Sequence, residues 1–318
     1  MKCALCSNTS GNASFKMKEM MYGFKDEFNY FVCRLCECIQ IESIPDNLSK
    51  FYPSHYYSYH NVNQHLKHSW FRTIQCQAYI GAKKDWLHKL SVWKYRPPAF
   101  YNHLKLLKLY NLKAKVVDIG SGNGEFLSWM YGVGYSDLTG ADPFIEKDVI
   151  FNKEFRLLKQ SIYELDRKFD CIMLHHSLEH MDEQHKVFDR LYELLEPDGN
   201  MLIRIPIVSK PLMEEYGTNV VSLDPPRHFF IHSQKSFKML AEQHGFEIYE
   251  TVFDATEFSY WASEQYKNDI YLNGHPQSYL TNKNAFSEEQ INVFRAKIQD
   301  LNERSESDNV CYYLRKKI

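Results

Sequence analysis

From residue 111 onward, short apolar segments alternate with segments of helical periodicity. The apolar segments are brief enough to be strands, and they read AKVVDIG, DLTGADP, EFRLLKQSI, FDCIMLHH, NMLIRIPI, FEIYETVF and NVCYYLRKK. The helical segment SQKSFKMLAEQHG begins with a capping serine and ends at a glycine. Strands that alternate with helices predict an α/β fold with a doubly wound, parallel sheet, here of seven strands.

A glycine-rich turn, VVDIGSGNGEF, joins the first of these strands to a helix. Asp118 precedes its first glycine, and Asp142 ends the next strand 24 residues later. Glycines let the backbone approach a ligand, and an acidic residue at that strand end can accept both hydroxyls of a ribose. The spacing G-x-G-x-G differs from the dinucleotide fingerprint G-x-G-x-x-G. An anionic residue before the first glycine favours a cationic ligand over a pyrophosphate.

S-adenosylmethionine carries a sulfonium and an amino group, and the order of motifs over residues 110–255 resembles the class I methyltransferases that use it. VVDIGSGNGEFL is similar to motif I, LTGADP to the ribose-binding strand end, and KQSIYELDRKFD to the adenine-contacting segment, without the acidic residue often found there. FDCIMLHHSLEHM and LLEPDGNMLIRIP are similar to the fourth and fifth strands. The resemblance implies a Rossmann-like sheet that binds S-adenosylmethionine through Asp118, Gly120, Ser121, Gly122, Asn123, Gly124, Asp142, Pro143, Ser161, Ile162 and His175.

The stretch LHHSLEHM contains His176, Glu179 and His180 in the pattern H-x-x-E-H, which is typical of one class of zinc peptidases. That motif belongs in the middle of a helix, whereas here the histidines begin at the carboxyl end of a buried strand. Ligands bind at this edge of a doubly wound sheet, so we interpret the match as a coincidence. We expect a helix over 177–195 that presents both histidines on one face, beside the cofactor. For His180, a role in capping the helix or in a hydrogen bond to the backbone stays open.

Methyl transfer to a hydroxyl requires alignment of donor and acceptor and a group that accepts the proton, for which histidine is suited. His228, in the loop DPPRHFFIHS, emerges at the same edge of the sheet. The sequence therefore predicts a catalytic set of His176, Glu179, His180 and His228. It indicates no catalytic metal, because only Glu179 is obviously placed among the carboxylates that such a site would need.

Cysteines mark a separate module at the amino end. Of the eight cysteines, two pairs with C-x2-C spacing, separated by 26 residues, lie near the start of the chain: Cys3, Cys6, Cys33 and Cys36. Two such pairs can place four thiolates tetrahedrally around a structural Zn²⁺ ion. We expect Cys38 to be a spectator, although it could replace Cys36.

The sequence divides into a zinc-ribbon-like module over 1–45, a linker and helical cap over 46–110, and a methyltransferase domain over 111–318. The linker carries the tyrosine cluster IPDNLSKFYPSHYYSYH. A basic, helical face after it could meet a membrane or a lipid-linked substrate, and a plain cap is the alternative. Residues 254–300 predict an aromatic insertion before the last strand, either a lid over the substrate or a packed element.

This order of parts resembles a subgroup of small-molecule methyltransferases of surface-glycan and lipid-carrier pathways. The predicted function is O-methylation of a hydroxyl on a sugar, a glycan or a related small molecule, with lipid- and nucleotide-linked acceptors included. Sugar C-methylation, RNA methylation and a non-enzymatic partner-binding protein are the alternatives. The formal charge of −2 disfavours nucleic acid. No secretory signal or membrane-spanning run is visible, so we expect a cytoplasmic protein, and the oligomeric state stays open.

Overall fold

The computed structural model describes residues 1–53, 68–83 and 97–317. Its strands are β1 (Ala13–Lys18), β2 (Glu27–Val32), β3 (Ile39–Ile41), β4 (Val116–Ile119), β5 (Leu138–Ala141), β6 (Val149–Ile150), β7 (Phe155–Leu158), β8 (Phe169–His175), β9 (Leu195–Pro206), β10 (Phe230–Ile231), β11 (Phe246–Phe253) and β12 (Asn309–Lys316). Its α-helices are α1 (Trp70–Ile80), α2 (Phe100–Leu106), α3 (Glu125–Gly132), α4 (Gln184–Leu194), α5 (Lys210–Tyr216), α6 (Gln234–Gln243), α7 (Phe258–Lys267) and α8 (Glu288–Glu303).

The larger sheet has eight strands in the order β11-β12-β9-β8-β4-β5-β7-β6. It contains all seven predicted strands, and the doubly wound α/β fold is confirmed. The five strands from β7 to β9 are parallel. One strand differs from the expectation, because β12 runs antiparallel to both β9 and β11. The chain leaves β11 and enters β12 at the same end of the strands, so β12 must run in the direction opposite to β11.

Helices cover both faces of this sheet, which explains why its central strands are apolar throughout. In β8 the side chains from Cys171 to Leu174 are fully buried. Side chains of α4 and α6 pack on one face, around Phe188 and Phe237. Side chains of α1, α2 and α3 pack on the other face, around Leu104 and Met130.

The predicted helix over 177–195 is present only in its second half. Leu178–His180 form a single 3-10 turn, and α4 begins at Gln184. Two residues interrupt the helical path, because His176 and Glu183 have positive φ angles of 50° and 48°. His176 and His180 therefore do not share a helix face, and that expectation is wrong. The zinc-peptidase motif, which needs both histidines on one helix, does not exist here.

The smaller sheet has four antiparallel strands in the order β1-β2-β3-β10. Three come from the cysteine-rich module, but β10 lies far along the chain, between α5 and α6. The hydroxyl of Ser233 also donates to the carbonyl of Cys36 at 2.6 Å. The module is therefore attached to the large domain through the loop that carries His228.

The segment between β11 and β12 holds α7 and α8. The aromatic side chains of Tyr260, Trp261 and Tyr266 are buried there. They pack with Met17, Met20 and other residues of the amino-terminal module. Backbone N–H groups of Leu272 and Asn273 donate to Met20 and Met21 at 2.9 and 2.8 Å. These rings therefore pack against the amino-terminal module, and the role of residues 254–300 as a lid stays a prediction.

Two parts of the predicted linker and cap, residues 54–67 and 84–96, lie outside the described residues, and with them most of the tyrosine cluster. Among the residues that the structure describes, no helix combines the length and the apolar character needed to cross a membrane.

Candidate active site

The glycine turn lies between β4 and α3, and its three glycines all have positive φ angles, of 73° at Gly120, 49° at Gly122 and 71° at Gly124. A Cβ atom on Gly120 would come within 3.0 Å of the Cβ atom of Ser177. The Ser177 hydroxyl in turn donates to the carbonyl of Ile119 at 2.8 Å. The glycine turn and the segment 176–180 are therefore in direct contact.

Replacement of Gly120 by alanine should weaken cofactor binding, because Ala would meet both an unfavourable φ and the side chain of Ser177. We expect a loss of about 1–3 kcal/mol in stability. We also expect at least about tenfold weaker binding of S-adenosylhomocysteine by calorimetry. Gly81→Ala is the matched control, since Gly81 has a φ of 84° but nothing within 4 Å of an added Cβ. Equal effects of the two changes on binding would show that the contact with Ser177 does not matter.

Asp142 fixes the glycine turn and keeps capacity for a ligand. Its Oδ2 atom accepts a hydrogen bond from the Gly122 N–H at 2.9 Å, and its Oδ1 atom accepts one from the Phe144 N–H at 2.8 Å. Each carboxylate oxygen can accept two hydrogen bonds, so both retain one free lone pair. Those lone pairs are the acceptors that two adjacent ribose hydroxyls would need.

Within the described part of the chain, three buried polar atoms at the glycine turn lack a hydrogen-bond partner: Asp118 Oδ1, Ser121 Oγ and His175 Nε2. Buried polar groups are normally paired, so such atoms indicate a place for a ligand. Burial, and then the charge of Asp142, raise the pKa of Asp118 to about 8. A cationic ligand would reverse that shift, and this donor set fits a molecule with a sulfonium and an ammonium group.

The remaining predicted cofactor residues also follow strands at this edge of the sheet. Pro143 comes directly after Asp142, and Asn123 lies in the glycine turn, where its Oδ1 accepts from the Glu125 N–H at 3.1 Å. Ser161 and Ile162 follow β7, and Ser161 forms a capping box with Glu164. Ser161 is thus occupied with local structure, whereas Ile162 is buried in the core. Their contact with the cofactor stays a prediction.

Three of the four predicted catalytic residues gather at one point. One ligand atom from each of Glu179, His180 and His228 lies within 4.8 Å of the other two. The rings of His180 and His228 are in edge contact, with centroids 4.8 Å apart. His176 adjoins this group, with its Nδ1 atom 3.5 Å from Oε1 of Glu179, and its side chain is 39% exposed. We call these four residues the histidine–glutamate cluster.

Glu179 is the buried charge of this cluster, with 1% of its surface exposed. Burial opposes its ionisation, but the Nδ1 atom of His176 at 3.5 Å and the positive charge that His180, His176 and His228 can carry lower its pKa to about 2. Burial and the neighbouring His180 lower the pKa of His228 to about 4. The cluster therefore holds an anion beside a neutral imidazole at neutral pH.

Several residues that the sequence analysis missed hold the cluster in place. The Tyr52 hydroxyl lies 3.4 Å from Nδ1 of His180, and the Tyr30 hydroxyl donates to the His228 carbonyl at 2.8 Å. Arg227, fully buried, forms ion pairs with Glu19 at 2.8 Å and Asp224 at 2.6 Å. In the sequence, the opposite charges on either side of the two prolines of DPPRH were the available signal for the ion pair between Asp224 and Arg227.

The four predicted zinc ligands form a second cluster in the amino-terminal module. The Sγ atoms of Cys3, Cys6, Cys33 and Cys36 all lie within 4.8 Å of one another. A Zn–S distance of about 2.3 Å in a tetrahedral site separates sulfurs by about 3.8 Å. The Cys3–Cys36 and Cys6–Cys33 pairs, at 3.6 and 3.4 Å, are close to that value. The Gln40 amide donates to Cys3 at 2.9 Å, as an outer-shell partner of a thiolate would.

Cys38 lies outside this cluster, as expected. Its thiol donates to the carbonyls of Ile39 and Ile231 at 3.4 and 3.3 Å. The residues present therefore fit one structural zinc ion with four thiolate ligands and no open position.

A family model described as a methyltransferase domain matches residues 92–251, half of the chain. The chain belongs to the methyltransferase-domain family. Its glycine turn and sheet are those of the class I, S-adenosylmethionine-dependent members, as the order of motifs predicted. The match spans the strands from β4 through most of β11 and the whole histidine–glutamate cluster.

Solved structures resemble this methyltransferase only distantly. An S-adenosylmethionine-dependent methyltransferase from Archaeoglobus fulgidus is 20% identical, covers 73% of this chain and 100% of its own, and has a TM-score of 0.42. The 1,6-didemethyltoxoflavin-N1-methyltransferase of Burkholderia thailandensis is 14% identical and has a TM-score of 0.42. Its match covers 78% of this chain and 89% of its own. No curated protein sequence matches the chain.

Proposed function

We propose that this methyltransferase transfers a methyl group from S-adenosylmethionine to a hydroxyl of a sugar, a glycan or a related small molecule. The observation that carries the proposal is the contact between Gly120 and Ser177, because it brings the histidine–glutamate cluster next to the glycine turn. Donor and acceptor would then meet at the carboxyl edge of β4 and β8, where ligands bind in doubly wound sheets.

The residues of this edge divide into two roles. Asp118 and Asp142 offer acceptors for a cationic donor molecule and for its ribose. The histidines offer a nitrogen that can take the hydroxyl proton, while Glu179 supports the positive charge that an imidazole gains. S-adenosylmethionine supplies a methyl group on sulfur, which the acceptor oxygen takes while the carbon–sulfur electrons remain on sulfur.

A hydroxyl acceptor is favoured by the cluster, since proton removal is the one chemical task that an O-methyltransferase must add to alignment. The preference for a sugar or glycan, with a lipid- or nucleotide-linked form included, rests on the resemblance of the order of parts. The net charge of −2 supports a small acceptor over RNA.

Calorimetric titration with S-adenosylhomocysteine tests the donor site, with Asp142→Ala as the variant. We expect binding by the wild type and at least about tenfold weaker binding by the variant, which loses the acceptor for Gly122 and Phe144 as well as for ribose. Asp148→Ala is the control, because Asp148 is an exposed aspartate on the same side of β5 that bonds the backbone of Lys159.

Wild-type binding that survives Asp142→Ala unchanged would contradict the assigned site. Failure of the wild type to bind at all would overturn the enzymatic proposal in favour of a partner-binding protein. With binding established, nucleotide-sugar and lipid-linked sugar acceptors are assayed with a methyl-labelled donor. A labelled methyl group on oxygen would indicate O-methylation, whereas one on carbon would indicate sugar C-methylation.

A further inference from the structure

The histidine–glutamate cluster contains a buried carboxylate that accepts no hydrogen bond from the described part of the chain. Both carboxylate oxygens of Glu179 are buried and make no hydrogen bond with the described residues, and the Nδ1 atom of the His176 imidazole lies 3.5 Å from one of them. A buried carboxylate normally forms hydrogen bonds or coordinates a metal. One ligand atom each of His180 and His228 lies within 4.8 Å of a Glu179 carboxylate oxygen. A metal ion bound to Glu179 would therefore have three metal-ligating side chains around it.

Backbone carbonyls hold the Nδ1 atoms of both imidazoles. The Nδ1 atom of His180 lies 2.8 Å from the Arg227 carbonyl, and Nδ1 of His228 lies 2.9 Å from the Ser222 carbonyl. A carbonyl oxygen can only accept, so both Nδ1 atoms must carry a proton, and in the neutral form of each ring Nε2 keeps a free electron pair. Metal-ligating histidines usually have this outer-shell bond to a carbonyl or a carboxylate.

We propose that Glu179, His180 and His228 bind a divalent transition metal ion, which holds the acceptor oxygen next to the methyl donor. Two imidazoles and one carboxylate suit ions such as Zn²⁺, Co²⁺ or Mn²⁺ better than Ca²⁺. Bonds of about 2.0–2.2 Å would draw the three ligand atoms together from their present spacing. Three protein ligands leave coordination positions open, unlike the closed cysteine site.

The role of this ion rests on the proposed function, whereas its binding does not. At an open position the ion would accept the acceptor hydroxyl as a ligand, orient it and lower its pKa, so that the proton leaves more easily. Sequence analysis did not indicate such a metal, since the two histidines are 48 residues apart and only the fold brings them together.

A second group with the same ligand types is a weaker candidate. His103, Asp254 and Cys311 also lie within 4.8 Å of one another. There Asp254 is neutralised by Arg204 at 2.8 Å and accepts from Asn309, and Nδ1 of His103 bonds the Tyr313 hydroxyl at 2.7 Å. Glu179 has no such arginine beside it among the described residues.

The test is titration of the full-length, zinc-loaded protein with Mn²⁺, followed by calorimetry and electron paramagnetic resonance. Mn²⁺ is the probe because soft thiolates prefer to keep zinc. We expect one Mn²⁺ per chain in the wild type, with hyperfine coupling to imidazole nitrogen. Glu179→Gln and His228→Gln should each weaken binding by more than the roughly 10–100-fold that loss of an outer-shell partner causes. His68→Gln, at an exposed histidine bonded to Thr73, should bind like the wild type.

Absence of a bound Mn²⁺ ion, or binding without nitrogen coupling, would overturn the metal site, and both readouts need only the wild type. Binding that persists in folded Glu179→Gln would overturn it as well. S-adenosylhomocysteine is titrated into the same samples. Binding of S-adenosylhomocysteine without binding of Mn²⁺ would contradict the metal site and support the proposed function. Binding of Mn²⁺ without binding of S-adenosylhomocysteine would support the metal site and contradict the proposed function.

Discussion

The Cys33→Ser variant should lose one zinc ion per chain and unfold its amino-terminal module. Cys33 supplies one of four sulfurs within 4.8 Å, and the remaining three thiolates cannot close a tetrahedral site. Structural zinc contributes about 10–16 kcal/mol in zinc-finger peptides, so we expect a loss of several kcal/mol in the free energy of unfolding. Metal analysis and thermal unfolding of the purified variant measure both effects.

Unfolding of the amino-terminal module should also disturb the active site. The module provides Tyr30, whose hydroxyl donates to the His228 carbonyl, and β3, which pairs with β10 two residues after His228. The matched control is Cys38→Ser. Cys38 is equally buried and close in sequence, but its thiol bonds backbone carbonyls, which a serine hydroxyl can also do. Full zinc content in Cys33→Ser, or equal zinc loss in Cys38→Ser, would contradict the assigned ligands.

The Arg227→Met variant should be destabilised by about 3–5 kcal/mol, because it leaves two buried carboxylates without their cation. Arg227 is fully buried between Glu19 and Asp224, and its NH1 group also donates to the Phe51 carbonyl at 3.0 Å. Burial opposes the charge on Asp224, yet the adjacent guanidinium holds the pKa of that carboxyl below its usual value. Denaturant unfolding of the variant and the wild type measures the difference.

Two further variants test whether uncompensated buried charge causes the loss of stability in Arg227→Met. Arg295→Met breaks an ion pair with Glu257 at 2.8 Å, whose partners are 54% and 28% exposed, and should cost at most about 1 kcal/mol. The combination Glu19→Gln, Asp224→Asn and Arg227→Met removes all three charges and should recover much of the stability. A triple variant less stable than Arg227→Met alone would show that uncompensated charge is not the source of the effect.

The large sheet was predictable because each of its strands is a local feature of the sequence. FDCIML in β8 is apolar at nearly every position, since helices cover both faces of the central strands. The direction of β12 was not predictable, because it depends on where the segment after β11 rejoins the sheet. The helix over 177–195 was overpredicted, since the apolar periodicity did not reveal the positive φ angles of His176 and Glu183.

The sequence by itself determined the order of strands and helices, the glycine turn and the two cysteine pairs, because these depend on residues close together in the chain. The tertiary structure decided everything that joins distant residues. It placed Arg227 between Glu19 and Asp224, completed the amino-terminal sheet with β10, and brought Glu179, His180 and His228 together. Periodicity and propensity describe local backbone preference, whereas these contacts depend on loops whose paths are fixed only by packing.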